Sequence, residues 1–138
     1  MSIKAPVSGV LFSSGEFQAN STIDDSKDLL IETELGFQTN IDITKPVEPA
    51  KVYTLFECYY PMIEIASPNL EGKPNGVDLI ASNSASFGFI KGDRIDFDTT
   101  DPDSVIASLN RGNDELHSEN CSSVMGGQSI ALAWLINQ

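Results

Sequence analysis

Three residues of this chain have side chains suited to nucleophilic catalysis. His117 is the only histidine, and Cys58 and Cys121 are the only cysteines. A thiol beside an imidazole can act as a nucleophile, so His117 could form a dyad with either cysteine. Such a dyad also needs an orienting group and an oxyanion site, which these residues do not supply. We therefore assign no catalytic residue and expect the chain not to be an enzyme.

A run of acidic residues resembles a calcium-binding loop only in part. It comprises Asp93, Asp96, Asp98, Asp101 and Asp103. The run lacks the Asp-x-Asp-x-Asp-Gly order and the bidentate glutamate that ends such a loop. A zinc site needs about four Cys or His ligands, and the chain has too few of them. We expect a solvated acidic turn, with no metal site and no cofactor.

A strip of large side chains is the best candidate for binding another protein. The strip consists of Tyr53, Leu55, Tyr59 and Ile63. It lies on one face of a predicted strand whose other face carries Phe56, Tyr60 and Met62. One C-terminal helix can cover only one face of a sheet, so the second apolar face needs a partner. We predict that the strip contacts other protein chains, either clients or further copies in a homo-oligomer.

The elements that would carry these residues are strands first and a helix last. From Leu29 to Ile43 the apolar residues occupy odd positions, which predicts a long strand with one apolar and one acidic face. Further strands are predicted over 7–17, 51–65 and 77–97. Asp101-Pro102-Asp103 is typical of a helix start, so region 101–136 is predicted to be helical.

These elements predict an α+β fold in one domain, residues 1–138. The prediction is an antiparallel sheet of about four long strands in the strand region 7–97, followed by a C-terminal helix or helices.

The charge of the chain excludes one class of partner. Eight Lys and Arg residues against 20 Asp and Glu residues give a net charge of −12. Because nucleic-acid binding depends on Lys and Arg contacts to phosphates, we expect no nucleic-acid partner. No apolar run approaches the roughly 18 residues that span a bilayer, and the N-terminus lacks a signal-peptide pattern. We expect no membrane partner and a cytoplasmic location, or the virion if the protein is viral.

The order of the elements resembles the SecB export-chaperone family. Residues 10–17 are similar to its first strand, 29–43 to its second and 51–65 to its third. Residues 84–90 are similar to the Gly-x-Phe run that ends its fourth strand, and 120–125 stand where its long helix begins. The family's Phe-Pro-Tyr after that point is replaced by Gly126, Gly127 and Gln128, and its C-terminal part has no counterpart. The resemblance implies an ATP-independent holdase that assembles as a dimer of dimers.

We therefore interpret the chain as a non-catalytic, protein-binding chaperone of the holdase type. It would act through an apolar sheet face and through oligomerisation. Two alternatives stay open at this point. Long strands and acidic surfaces also suit a bacteriophage tail, head or connector protein, and a small acidic protein could inhibit a basic enzyme by docking on its surface.

Overall fold

The computed structural model of the chain describes residues 6–24, 29–67 and 75–138. The strands are β1 (Glu16–Phe17), β2 (Leu30–Thr39), β3 (Phe56–Ala66), β4 (Ser86–Lys91), β5 (Ile106–Arg111) and β6 (Asp114–Asn120). The helices are α1 (Gly76–Ala81), between β3 and β4, and α2 (Gln128–Ile136), at the end of the described chain. Short 3-10 turns lie at Ser13–Gly15, Pro49–Leu55, Pro102–Ser104 and Cys121–Gly126. The predicted α+β class is confirmed, with a four-stranded sheet and a C-terminal helix.

The four-stranded sheet is mixed, whereas the sequence predicted an antiparallel one. Its strand order is β1-β4-β3-β2. Strand β3 pairs antiparallel with β4, but β1 pairs parallel with it, with Phe17 opposite Ile90. The predicted first strand over 7–17 shrinks to the two residues of β1. Gly88 permits this pairing, because a Cβ there would collide with the Phe17 ring and the carbonyl oxygen of Gly15.

The described residues group into two compact units, whose boundary falls within β2 and β3. Unit 1 comprises the described residues of 1–32 and 62–91, and unit 2 those of 33–61 and 92–138. The single domain predicted over 1–138 stays a prediction.

Unit 1 contains a helix where the sequence predicted a strand. Helix α1 begins with a capping box, in which the Asn75 side chain accepts from the backbone N–H groups of Val77 and Asp78. The Asp78 carboxylate accepts in return from the Asn75 N–H at 2.9 Å. This reciprocal cap stabilises a helix start that the apolar spacing did not reveal. The sequence also predicts a turn or hairpin loop over 69–76, of which residues 69–74 lie outside the described residues.

Unit 2 has an aromatic core. Val52, Phe56 and Ala133 are buried at its centre. The Phe37 ring on β2 lies next to four other rings, with centroid distances of 5.5 Å to Phe56 and 5.9 Å to Tyr59. The other two rings are those of Tyr53 and Phe97. The apolar face of the predicted strand 29–43 was expected to point toward the core, and Phe37 does so. Ile31 and Ile41 of the same face are exposed, and β2 ends at Thr39 rather than Ile43.

A β-hairpin occupies much of the region predicted to be helical, 101–136. Strands β5 and β6 pair antiparallel, and the two residues between Arg111 and Asp114 form the turn. Gly112 has a φ of 63°, which this type of two-residue hairpin loop favours. Asp101 does cap a turn, but that turn ends at Ser104 and Val105 is extended. No helix among the described residues has the length and hydropathy needed to cross a lipid bilayer.

Candidate functional site

Unit 1 contains a cavity of about 330 Å³ that is partly open to solvent and lies at the lower end of the range for small-ligand pockets. Its polar wall is formed by Glu32 on β2, Glu64 on β3, and Ser84 and Ser86 at the start of β4. The rest of the described wall is aliphatic, apart from Gly9. Those side chains are Val7, Leu11, Leu30, Ala66, Leu79 and Ala85. The cavity therefore combines two carboxylates with an apolar surface.

The two carboxylates lie close together. Oxygen atoms of Glu32 and Glu64 come within 4.8 Å of each other. Burial raises the pKa of Glu64 above its usual 4.5, and the nearby Glu32 carboxylate raises it further. A hydrogen bond from the Ser86 hydroxyl opposes this shift, because it stabilises the charged form of Glu64. Glu64 is half-buried and Glu32 is exposed. A bound proton or a cation stabilises two like charges this close together.

A strained turn forms the wall beside this pair. Asn83, Ser84 and Ala85 have left-handed φ values of 57°, 58° and 61°. Such values are costly for residues other than glycine, and they persist where the surrounding structure holds them. The Ser84 Oγ atom is buried at this turn and has no hydrogen-bond partner in the described structure. An unpaired buried hydroxyl is rare in native structures and is commonly explained by a bound water or a functional role.

The segment before β1 is fixed to the same turn. The Val10 N–H donates to Asn83 Oδ1 at 2.7 Å, and Asn83 Nδ2 donates to the Val10 carbonyl at 2.8 Å. Gly9 packs so closely that a Cβ would lie 2.7 Å from the Asn83 carbonyl oxygen. These contacts hold Val7 and Leu11 in the wall of the cavity.

His117 and Cys121 line a second cavity, which has a volume of about 160 Å³ and lies in unit 2. His117 is exposed on β6, whereas Cys121 is buried. Burial raises the pKa of the Cys121 thiol from its usual 9.0, and the Glu34 and Asp103 carboxylates add to the shift. Cys58 has no exposed surface. Nucleophilic cysteines have lowered pKa values and partial exposure. The pKa of Cys121 is raised instead, and Cys58 is not exposed.

We expect neither thiol to react in the native protein. Both cysteines are free and buried, and the raised pKa of Cys121 keeps its thiol protonated at pH 8. A thiol reagent such as 5,5′-dithiobis(2-nitrobenzoate) should label fewer than one site per chain over an hour at pH 8, and two sites in denaturant. Rapid labelling of native Cys121, lost in Cys121→Ser, would show that the thiol is activated.

The four residues predicted to bind other proteins do not form one exposed strip. The Tyr59 side chain is fully buried, and its hydroxyl donates to the Thr100 carbonyl at 3.0 Å. Tyr53 and Leu55 lie in a 3-10 turn and pack against the unit 2 core. Ile63 is half-buried in unit 1, where it pairs with Ile90. A role of these residues in binding another chain stays a prediction. The full burial of Tyr59 does not support it.

The acidic run over 93–103 has structural roles. Arg94 forms ion pairs with Glu57 at 2.7 Å and with Asp96 at 2.8 Å. Asp103 accepts hydrogen bonds from the Tyr53 hydroxyl at 3.2 Å and from the Gln128 N–H at 2.6 Å. These contacts link the turn to β3 and to the start of α2.

Glu32 and Glu64 were not predicted as site residues from the sequence. Glu32 belongs to the acidic face of β2, which the alternation predicts to be solvated. Glu64 stands between Ile63 and Ile65 in a strand that is otherwise largely apolar, and this was the available signal. A carboxylate in such a strand is costly to bury unless a partner neutralises it.

Comparison with known proteins identifies a fold but no sequence family. No protein-family model and no curated protein matches the chain in sequence. The chain is similar to the solved structure of 4-oxalocrotonate decarboxylase from Pseudomonas putida G7 complexed with calcium and acetate, with a TM-score of 0.80 and 19% identity over 94% of this chain. It is also similar to that enzyme complexed with magnesium and adipate, with a TM-score of 0.68 and 19% identity over 79% of this chain. The chain spans about half the length of these structures, covering 50% and 43% of them.

These matches correct the interpretation as a SecB-like chaperone. Two solved structures with this fold are those of a decarboxylase, and no match in sequence supports SecB. The resemblance to SecB depended on the order of elements. In the region 101–136, which was predicted to be helical, the structure instead has the β5–β6 hairpin followed by the nine-residue helix α2. The expectations of a non-enzyme and of a non-catalytic holdase were therefore wrong. The similarity to the decarboxylase structures also speaks against the two alternatives, a phage structural protein and an acidic inhibitor.

Proposed function

We propose that the chain forms part of a divalent-cation-dependent enzyme that acts next to the carbonyl group of a short 2-oxo acid. The observation that carries this proposal is the close pair of Glu32 and Glu64 in the cavity of unit 1. The fold supports it, because the similar solved structures are of a decarboxylase in complex with calcium or magnesium and a small carboxylate.

The donor atoms of this pair suit a hard cation. Magnesium and calcium prefer oxygen ligands, and magnesium is commonly held by one or two carboxylates together with water and substrate oxygens. A cation would also offset the repulsion that raises the pKa of Glu64. The carboxylates of Glu32 and Glu64 would hold this cation. When bound, a divalent cation supplies Lewis-acid stabilisation of negative charge on a substrate oxygen.

The other wall residues have distinct roles in this proposal. Ser86 orients the Glu64 carboxylate through its hydrogen bond. The unpaired Ser84 hydroxyl donates to an oxygen of the ligand. The aliphatic wall displaces water, which strengthens electrostatic interactions within the site.

The chemistry expected is proton transfer at the carbon next to the carbonyl. When a base such as a water molecule takes a proton from C3 of a 2-oxo acid, the electron pair of the C–H bond moves toward the carbonyl oxygen, which takes up the negative charge. Decarboxylation uses the same acceptor where the departing carboxylate is attached to C3, or to a carbon joined to the carbonyl through a C=C bond. The electron pair of the broken C–C bond then moves to the carbonyl oxygen as CO₂ departs. A 2-oxo acid suits such a site because its carboxylate and carbonyl oxygens can bind one cation together.

Isotope exchange tests this proposal without knowledge of the natural substrate. The protein with MgCl₂ and 2-oxobutanoate in D₂O should exchange the C3 protons at least about tenfold faster than MgCl₂ alone, as followed by proton NMR. A chelator should remove the acceleration. Exchange no faster than with MgCl₂ alone, across 2-oxo acids of three to six carbons, would contradict the proposed function.

A further inference from the structure

The described wall of the unit 1 cavity carries acidic, hydroxyl and aliphatic groups but no basic side chain. Beyond Glu32 and Glu64, the described residues that line it supply only aliphatic surface, Gly9 and the hydroxyls of Ser84 and Ser86. None of these described lining residues is Lys, Arg or His. In the described part of unit 1 the only basic residue is Lys91, which does not line the cavity.

This wall suits an apolar substrate tail. We propose, on the basis of the proposed function, that the substrate is a 2-oxo acid whose tail is a short alkyl or alkenyl chain without a carboxylate at its far end. The glutamates near the cation bring at least the two negative charges that one divalent cation balances, so the head carboxylate already adds an uncompensated negative charge. A second carboxylate against the aliphatic wall would have no basic partner among the described lining residues, and burying an unpaired charge is strongly unfavourable.

The volume of the cavity favours a short tail. At about 30 Å³ for each water-sized group, a cavity of about 330 Å³ has room for roughly ten non-hydrogen atoms. A 2-oxo acid of six carbons fits this limit. The single unpaired hydroxyl of Ser84 offers one neutral hydrogen bond, which is weaker than one from a charged donor and cannot balance a carboxylate.

A matched pair of ligands tests the proposal by binding rather than by turnover. Calorimetric titration of the full chain in saturating MgCl₂ should give at least about tenfold tighter binding of 2-oxohexanoate than of 2-oxoadipate, which differs by its terminal carboxylate. Each methylene removed from the 2-oxohexanoate tail should weaken binding about fourfold. Equal binding, or tighter binding of 2-oxoadipate, would overturn the apolar-tail proposal and leave the proposed function standing. Binding of no 2-oxo acid would overturn both.

A substitution in the wall should reverse the preference. Leu11 lines the cavity yet is 46% exposed, so Leu11→Arg can be accommodated and adds the missing positive charge. We expect it to tighten 2-oxoadipate binding about tenfold and to weaken 2-oxohexanoate. Val10 is exposed and does not line the cavity, so Val10→Arg should leave the ratio unchanged. A folded Leu11→Arg protein with the wild-type ratio would overturn the assignment of the tail to this wall.

Discussion

Replacement of Glu64 by glutamine is expected to abolish the effects of divalent cations on the protein. Losing an outer hydrogen-bond partner of a metal ligand typically costs about 10–100-fold in affinity or activity, so losing a ligand should cost about 100-fold or more. Magnesium-dependent exchange should fall accordingly, and the rise in melting temperature with MgCl₂ should disappear. In chelator, Glu64→Gln should melt at or above the wild-type temperature, because it removes a partly buried charge beside Glu32.

A matched control separates this effect from a general loss of acidic charge. Glu115 is exposed on β6 in unit 2, at a position with no part in the cavity. Glu115→Gln should retain the exchange rate and the stabilisation by MgCl₂. Equal losses in the two variants would show that magnesium acts through the overall negative charge rather than through Glu64.

Replacement of Phe56 by alanine is expected to be the most destabilising of the changes discussed. Phe56 is buried in the unit 2 core, where its ring centroid lies 5.5 Å from that of Phe37. Truncating a buried phenylalanine usually costs about 3–5 kcal/mol, through lost burial and the cavity left behind. The free energy of unfolding from urea denaturation measures this cost.

Phe12→Ala provides the comparison for that measurement. The Phe12 side chain is 63% exposed, so its truncation should change the free energy of unfolding by no more than about 0.5 kcal/mol. Similar losses for Phe12 and Phe56 would contradict the core described for unit 2.

Local patterns predicted those parts of the fold that depend on local physics. The alternation around Leu35 and Phe37 predicted β2 and its inward face, because side chains alternate along any strand. Helix α1 and the β5–β6 hairpin depend on capping and turn residues, which the alternation of apolar residues does not reveal. The Asn75 and Asp78 capping box begins α1, and Gly112 with Asn113 forms the turn of the β5–β6 hairpin. The parallel pairing of β1 requires contacts far apart in sequence, which no local pattern specifies.

The candidate site was harder to predict than the fold. Glu32 and Glu64 come from different strands and meet only after the sheet forms. Glu32 looked like one of many solvated acids, and only Glu64 stood out, as a charge between two isoleucines. Tyr59 was expected to be exposed but is buried. The packing around its ring depends on contacts between elements, which the alternation of side chains does not predict.

A crystal structure of the protein with bound calcium tests the central claim most directly. An anomalous difference map at long wavelength should place one ion within about 2.3–2.6 Å of carboxylate oxygens of both Glu32 and Glu64, the usual calcium–oxygen distance. Crystals of Glu64→Gln grown in the same solution should lack that peak. A wild-type map without a peak at these two residues, at a calcium concentration that saturates the thermal stabilisation, would contradict the account.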